Sequence, residues 1–177
     1  MLARRDALLS AALSAGALAR PRRARAAPAP TFAPTRDGVR FRDARVGDGP
    51  EVFAHDAVVI LFTARVLPSD DGALDRRRAG DTFDPFVVGG AGASASKGFK
   101  LEIGSATNDI PEGWARAFEG DGDAMPRMRI GGKRIVRIPP SLAYGERGHH
   151  CRDGVRGACE VNPGESVEID FEILRYT

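Results

Sequence analysis

From Val58 the chain reads Val-Val-Ile-Leu-Phe-Thr-Ala-Arg-Val to Val66, β-branched and aromatic and apolar on both faces over much of its length. That pattern predicts a central strand. Glu165 to Tyr176 alternates strictly: Val167, Ile169, Phe171 and Ile173 fall on one face, Glu168, Asp170 and Glu172 on the other. This predicts a strand whose outer side meets solvent. Lys133 to Ile138 is a third strand, stopped by Pro139-Pro140, and Gly98 to Gly104 a short fourth. Val39 to Val46 reads as an edge strand ending in the turn Gly47-Asp48-Gly49-Pro50. The helical period occurs in Pro111-Glu112-Gly113-Trp114-Ala115-Arg116-Ala117-Phe118. Proline and an acid open it, Trp114 and Phe118 form an i,i+4 apolar pair, and glycines and acids break it. The expected class is α+β, a bent antiparallel sheet wrapped around one short α-helix. The Gly-rich stretches Gly89 to Gly98 and Gly120 to Pro126 are expected to be mobile surface insertions.

With 177 residues, 42% of them hydrophobic, the chain is long enough for one packed domain and too apolar for wholesale disorder. No apolar run approaches the roughly 20 residues that cross a bilayer. Residues 1–26 carry six arginines against Asp6, a surplus of five that turns the formal +2 into −3 for residues 27–177. A nucleic-acid binder would keep a basic surface, so that class is set aside. Paired Arg4-Arg5, an Ala/Leu/Ser core from Ala7 to Ala19 and a basic stretch ending Ala24-Arg25-Ala26 resemble a twin-arginine export signal. An Arg-rich organellar presequence is the alternative. The expected organisation is a cleavable signal over 1–26, a Pro-rich linker over 27–38 and a domain over 39–177.

The chain has no phosphate-binding Gly-rich loop, no Gly-x-Ser-x-Gly elbow and no His-Glu-x-x-His. Its histidines are His55, His149 and His150; the last two, if extended, point opposite ways and would not serve one site. His149, His150, Cys151 and Cys159 are candidate zinc ligands. Seven residues separate the cysteines, however, and a contiguous His-His-Cys closes poorly on one tetrahedron, so no metal is expected. In an exported protein a Cys151–Cys159 disulfide is the expected state, with zinc and two free thiols as alternatives. What remains is an aromatic set, Phe62, Phe83, Phe99, Trp114 and Tyr144, with Asp84 among them. Phe118 and Phe171 read as core, whereas Trp114 could floor a pocket as readily as fill the interior.

The order of the motifs is more informative than any one of them. Gly47-Asp48-Gly49, Thr82-Phe83-Asp84, Phe99 to Gly104, Glu112-Gly113-Trp114 and Val167 to Leu174 frame two segments. These are Ile130-Gly131-Gly132-Lys133-Arg134 and Ile138-Pro139-Pro140-Ser141-Leu142-Ala143-Tyr144-Gly145. Over Val39 to Thr177 the chain resembles an FKBP-type peptidyl-prolyl cis/trans isomerase. The resemblance implies a proline pocket lined by Phe83, Asp84, Phe99, Ile110, Trp114, Tyr144, Val161 and Ile169, with Phe62 where a tyrosine is usual and His149 at the rim. Asp84, Tyr144 and Trp114 would be catalytic. No cofactor is implied; the partners are proline-containing polypeptides met by a monomer.

The Cys-x7-Cys loop is similar to that of chloroplast thylakoid-lumen members, and the export signal suits that compartment. A lumenal protein also needs an upstream transit peptide, so the expected setting is either the lumen, with Met1 not the true start, or a bacterial periplasm. Two departures matter. Pro111 stands where a backbone N–H normally donates to the bound peptide or macrolide, and proline has none to give. The Trp114 to Met128 interval is also longer than usual by about seven residues. The expected function is X-Pro isomerisation in a desolvated aromatic pocket, without covalent chemistry; the alternative is a non-catalytic proline-segment binding module with weak macrolide affinity.

Overall fold

The computed structural model of the chain describes residues 31–67, 82, 83, 85, 98–105, 110–151 and 159–177. The export segment, the loop over 89–97 and Asp84 lie outside these described residues. The strands are β1 (Ala33–Pro34), β2 (Arg40–Arg45), β3 (Ala57–Val66), β4 (Thr82–Phe83), β5 (Phe99–Glu102), β6 (Lys133–Ile138) and β7 (Val167–Tyr176). The helix α1 spans Glu112–Glu119, and a 3-10 turn follows β6 at Pro140–Leu142. All pairings are antiparallel, in the order β1-β2-β6-β7-β3-β4, with β5 also on β3. β3 is central: β7 covers one edge from Val58 to Val66, and β5 and β4 share the other.

The alternation in β7 is realised. Val167, Ile169, Phe171 and Ile173 are wholly buried. On the outer face Arg137 and Arg65 pair with Glu168, Lys133 with Asp170 and Arg45 with Glu172. Such partly exposed pairs each contribute little, so the buried face holds the sheet. The helix lays Trp114, Ala117 and Phe118, all fully buried, on the inner face of the sheet. Gly113 permits this close approach, since a Cβ there would lie 2.3 Å from Ile138 Cγ2 and 2.9 Å from the Leu142 carbonyl oxygen.

Two expectations change. Part of the expected linker is a strand: Ala33 and Pro34 pair with Phe41 and Arg40, so β2 is second from the edge rather than outermost. Pro34 is tolerated because β1 closes the sheet and needs no donor on its open side. The 120–126 stretch is anchored rather than a loose insertion. Met125 is buried at 1% exposure, and the Asp121 carboxylate accepts the Met125 and Asp123 N–H groups at 2.7 and 3.0 Å. The Met125 and Asp123 amides hold the Asp121 carboxyl below its ordinary value of 3.8.

Arg134 lies on the core-facing side of β6 with Val136 and Ile138, and is 1% exposed. Its guanidinium donates to the Asp43 carboxylate at 2.6 and 3.0 Å and to the carbonyls of Ala117 and Pro126, each at 2.8 Å. One side chain thereby ties β2, the end of α1 and the 120–126 loop together.

Candidate functional site

The split edge of β3 generates the aromatic site. Phe83 of β4 pairs with Ala64, and Phe99 of β5 with Ile60, so Phe62 sits in the interval between them. The Phe62 ring meets Phe99 at 6.0 Å and Trp114 at 5.4 Å, both edge-on, and Trp114 meets Phe171 at 4.8 Å. These are favourable aromatic geometries. Phe62, Phe83, Val161 and Ile169 are all buried, with no more than 3% exposure, whereas Phe99, Ile110 and Tyr144 are partly open and pack against that core.

After β6 the Pro139-Pro140 pair turns the chain through the 3-10 turn and presents Tyr144, whose ring lies edge-on to Phe83 at 6.0 Å. Tyr144 stacks on His149 at 4.2 Å, and His149 on His150 at 3.8 Å. A cleft of about 590 Å³ opens there, bounded by Ile110, Pro111, Ala143, Tyr144, Arg147, Gly148, His149, His150 and Cys151. A second, of about 270 Å³, lies between β5 and α1, with Leu101, Ile103, Trp114 and Phe118 on its walls. Ile110 and Pro111 border both, so the two clefts adjoin across that dipeptide.

Of the expected pocket residues, Ile110, Pro111, Tyr144 and His149 line the larger cleft, and Trp114 lines the smaller. Phe62, Phe83, Val161 and Ile169 lie in the core behind them. Pro111 caps α1 with ψ 149°, and its carbonyl accepts the Trp114 N–H at 2.9 Å. The ridge between the clefts thus presents a proline nitrogen, which offers no donor.

The far rim is a hairpin. His149 and Val161 form an antiparallel bridge, with the His149 N–H on the Val161 carbonyl at 2.8 Å. Continuing that register sets His150 against Glu160, with Nδ1 3.1 Å from Oε2, and Cys151 against Cys159, which form a disulfide. Cys151 is exposed but Cys159 is 6% exposed, so the bond expected to be generally accessible is open to reductant from the Cys151 side. Arg152, Asp153 and Arg156 lie outside the described residues. Reduction is expected to lower stability by about 2 to 3 kcal/mol through the freed loop, read as a shift in urea midpoint with and without a thiol-free reductant, while the sheet's far-UV signal below the transition stays unchanged.

One residue behind the site had escaped notice in the sequence. Glu165, 3% exposed, accepts the Asn162 backbone N–H at 2.7 Å and its side-chain amide at 3.0 Å. It pins the turn that follows Val161. Its signal is an acid three residues after an asparagine in Asn-Pro-Gly, the pattern of a side chain closing a tight turn.

A bent antiparallel sheet on one short helix, with an aromatic cluster at the helix start, is the architecture that the order of motifs implied, and sequence comparison agrees. The family model described as FKBP-type peptidyl-prolyl cis-trans isomerase matches residues 55–173, and the chain belongs to that family. It is similar to the chloroplastic peptidyl-prolyl cis-trans isomerase FKBP13 of Arabidopsis thaliana, 30% identical over 81% of this chain and 58% of that relative. It is also similar to chloroplastic FKBP16-4 of the same plant, 30% identical over 98% of this chain and 64% of the relative. The chain therefore spans about three fifths of the length of these relatives. A third, the photosynthetic NDH subunit of lumenal location 4, is 31% identical over 77% of this chain and 53% of its own. The crystal structure of AtFKBP13 superposes with a TM-score of 0.64 at 27% identity, covering 83% of this chain and 99% of that one.

Proposed function

We propose that the protein is a peptidyl-prolyl cis-trans isomerase that rotates X-Pro bonds of polypeptide clients in its aromatic site. The observation that carries this reading is the meeting of Trp114, Ile110, Pro111 and Tyr144 at two adjoining clefts backed by Phe62, Phe83 and Phe99. An X-Pro amide resists rotation because twisting breaks its resonance; the barrier is ~18 to 20 kcal/mol. The twisted amide has less charge separation than the planar one, so a dry aromatic surface favours it over the ground state that water solvates better. No nucleophile is required. An acceleration of about 10⁴ asks for only ~5 kcal/mol. In this reading Trp114 supports the prolyl ring, Tyr144 donates its hydroxyl to the substrate carbonyl, and Asp84, next to Phe83, acts on the rotating amide.

A protease-coupled isomerisation assay on X-Pro peptides tests this. Turnover above the spontaneous rate is expected, falling about tenfold or more for Tyr144→Phe, the loss of a hydrogen bond worth ~1.4 kcal/mol. A rate equal to the spontaneous one across several peptides would transfer the site to the rival reading, a module that holds proline segments without turning them over. Pro111 favours that rival, and so does the likeness to a relative named as a subunit of an assembly. Pro111→Ile should restore a donor at the ridge and tighten macrolide binding by ~1 to 3 kcal/mol, measured by titration calorimetry. The helix should survive this change, because Pro111 makes no side-chain cap bond.

The chloroplastic relatives, the lumenal NDH subunit among them, together with the twin-arginine-like segment, support a thylakoid-lumen setting, with the bacterial periplasm as the alternative. We read the active species as a monomer.

A further inference from the structure

We infer that the hairpin beside the larger cleft is a binding site for a divalent transition metal, zinc above all, with His149, His150 and Glu160 as ligands. The sequence argued against His149 and His150 sharing one site, because neighbours on an extended strand diverge. The structure removes that objection: His150 has φ +47°, a left-handed conformation uncommon for a side-chain-bearing residue, and its ring is brought onto His149 at 3.8 Å instead of turning away. The hairpin register then delivers Glu160 opposite His150.

Candidate ligand atoms of the three residues lie within 4.8 Å of one another. Tetrahedral zinc with bonds of ~2.0 Å to nitrogen and oxygen sets its ligand atoms about 3.3 Å apart. His150 Nδ1 and Glu160 Oε2, at 3.1 Å, already have nearly that spacing, so a metal ion can replace the proton they share. The histidine planes are inclined by only 26°, whereas imidazole lone pairs must converge on a metal, so one ring has to rotate out of the stack. His150 and Glu160, each with 18% of its side chain exposed against 4% for His149 as a whole, turn together, which keeps their spacing as the His150 ring leaves the stack.

Two imidazoles and one carboxylate suit zinc, copper or nickel and are too few oxygens for calcium. Three protein ligands leave a fourth position for water or an incoming carbonyl. His149 and His150 border the larger cleft, so that position faces the space a peptide would enter. The site stands on this geometry and does not depend on turnover.

The test is calorimetric titration of the untagged full-length chain, disulfide intact, with zinc chloride at neutral pH. Saturable binding of one zinc per chain is expected. Nitrogen-15 imidazole signals of His149 and His150 should shift together. Glu160→Gln and His150→Gln should each weaken binding by about tenfold or more, with urea midpoints near that of the parent; should His150→Gln fold poorly, Glu160→Gln and the imidazole shifts still decide. Calcium chloride should give no heat of binding. Absence of saturable zinc binding, or affinity indifferent to both substitutions, overturns the proposal. So does binding that appears only after the disulfide is reduced, since the ligands would then be the cysteines.

Discussion

Replacing Trp114 by alanine should abolish isomerase turnover and cost about 3 to 5 kcal/mol of stability, as large-to-small changes of a buried aromatic do. The indole has no exposed surface, contacts Phe62 and Phe171 edge-on, and stands in the first turn of α1, so its loss empties the junction of helix, sheet and cleft. Because one change affects both properties, Trp114→Phe separates them. It keeps an aromatic ring against Phe171 and most of the apolar volume, so the urea midpoint should fall much less than for alanine, while kcat/KM falls with the reshaped support for the prolyl ring. A Trp114→Phe protein with parental kcat/KM would show that the indole is core alone.

Asp43→Ala should destabilise the fold by about 3 to 5 kcal/mol, because it leaves the Arg134 charge without its carboxylate. Arg134 has 2% of its side chain exposed and would retain the neutral carbonyls of Ala117 and Pro126 and the Phe41 ring 5.1 Å away. The double replacement Asp43→Leu with Arg134→Met should be less harmful than Asp43→Ala alone, since it removes both charges and keeps apolar volume in the core. Urea unfolding of the three proteins measures the order. Equal midpoints for Asp43→Ala and the parent would mean that the guanidinium finds water on losing its partner.

The same arginine shows where reading along the chain stops. Residues 133–138 were legible as a strand, and the structure sets Arg134 on the inner face with Val136 and Ile138, whose parity it shares. Nothing nearby in sequence indicated its partners. Asp43 is 91 residues away, and the accepting carbonyls belong to a helix end and a loop whose glycines suggested mobility. The site divides likewise. Tyr144, Ile110, Pro111 and Trp114 were implied by the family resemblance, and the structure gathers them around the clefts. The role of Glu165 was missed because an acid near a strand start reads as solvated until the turn closes over it.

Local pattern by itself determined the class of fold, the strands with strong alternation, the helix with its Trp114–Phe118 apolar pair, and the absence of an N–H at Pro111. Each of these follows from side-chain period or covalent structure, which neighbours in the chain fully express. Only the tertiary structure decided that β4 and β5 share one edge of β3 and leave Phe62 between them, that Ala33 and Pro34 extend the sheet, and that Met125 fastens a Gly-rich loop. It also decided that His149 and His150 stack side by side, because one backbone angle at His150 reverses the expected divergence and the register of a closed hairpin chooses Glu160 as the facing residue. Pairing between distant segments and a single left-handed residue are set by the balance of the whole core, which no window of sequence contains.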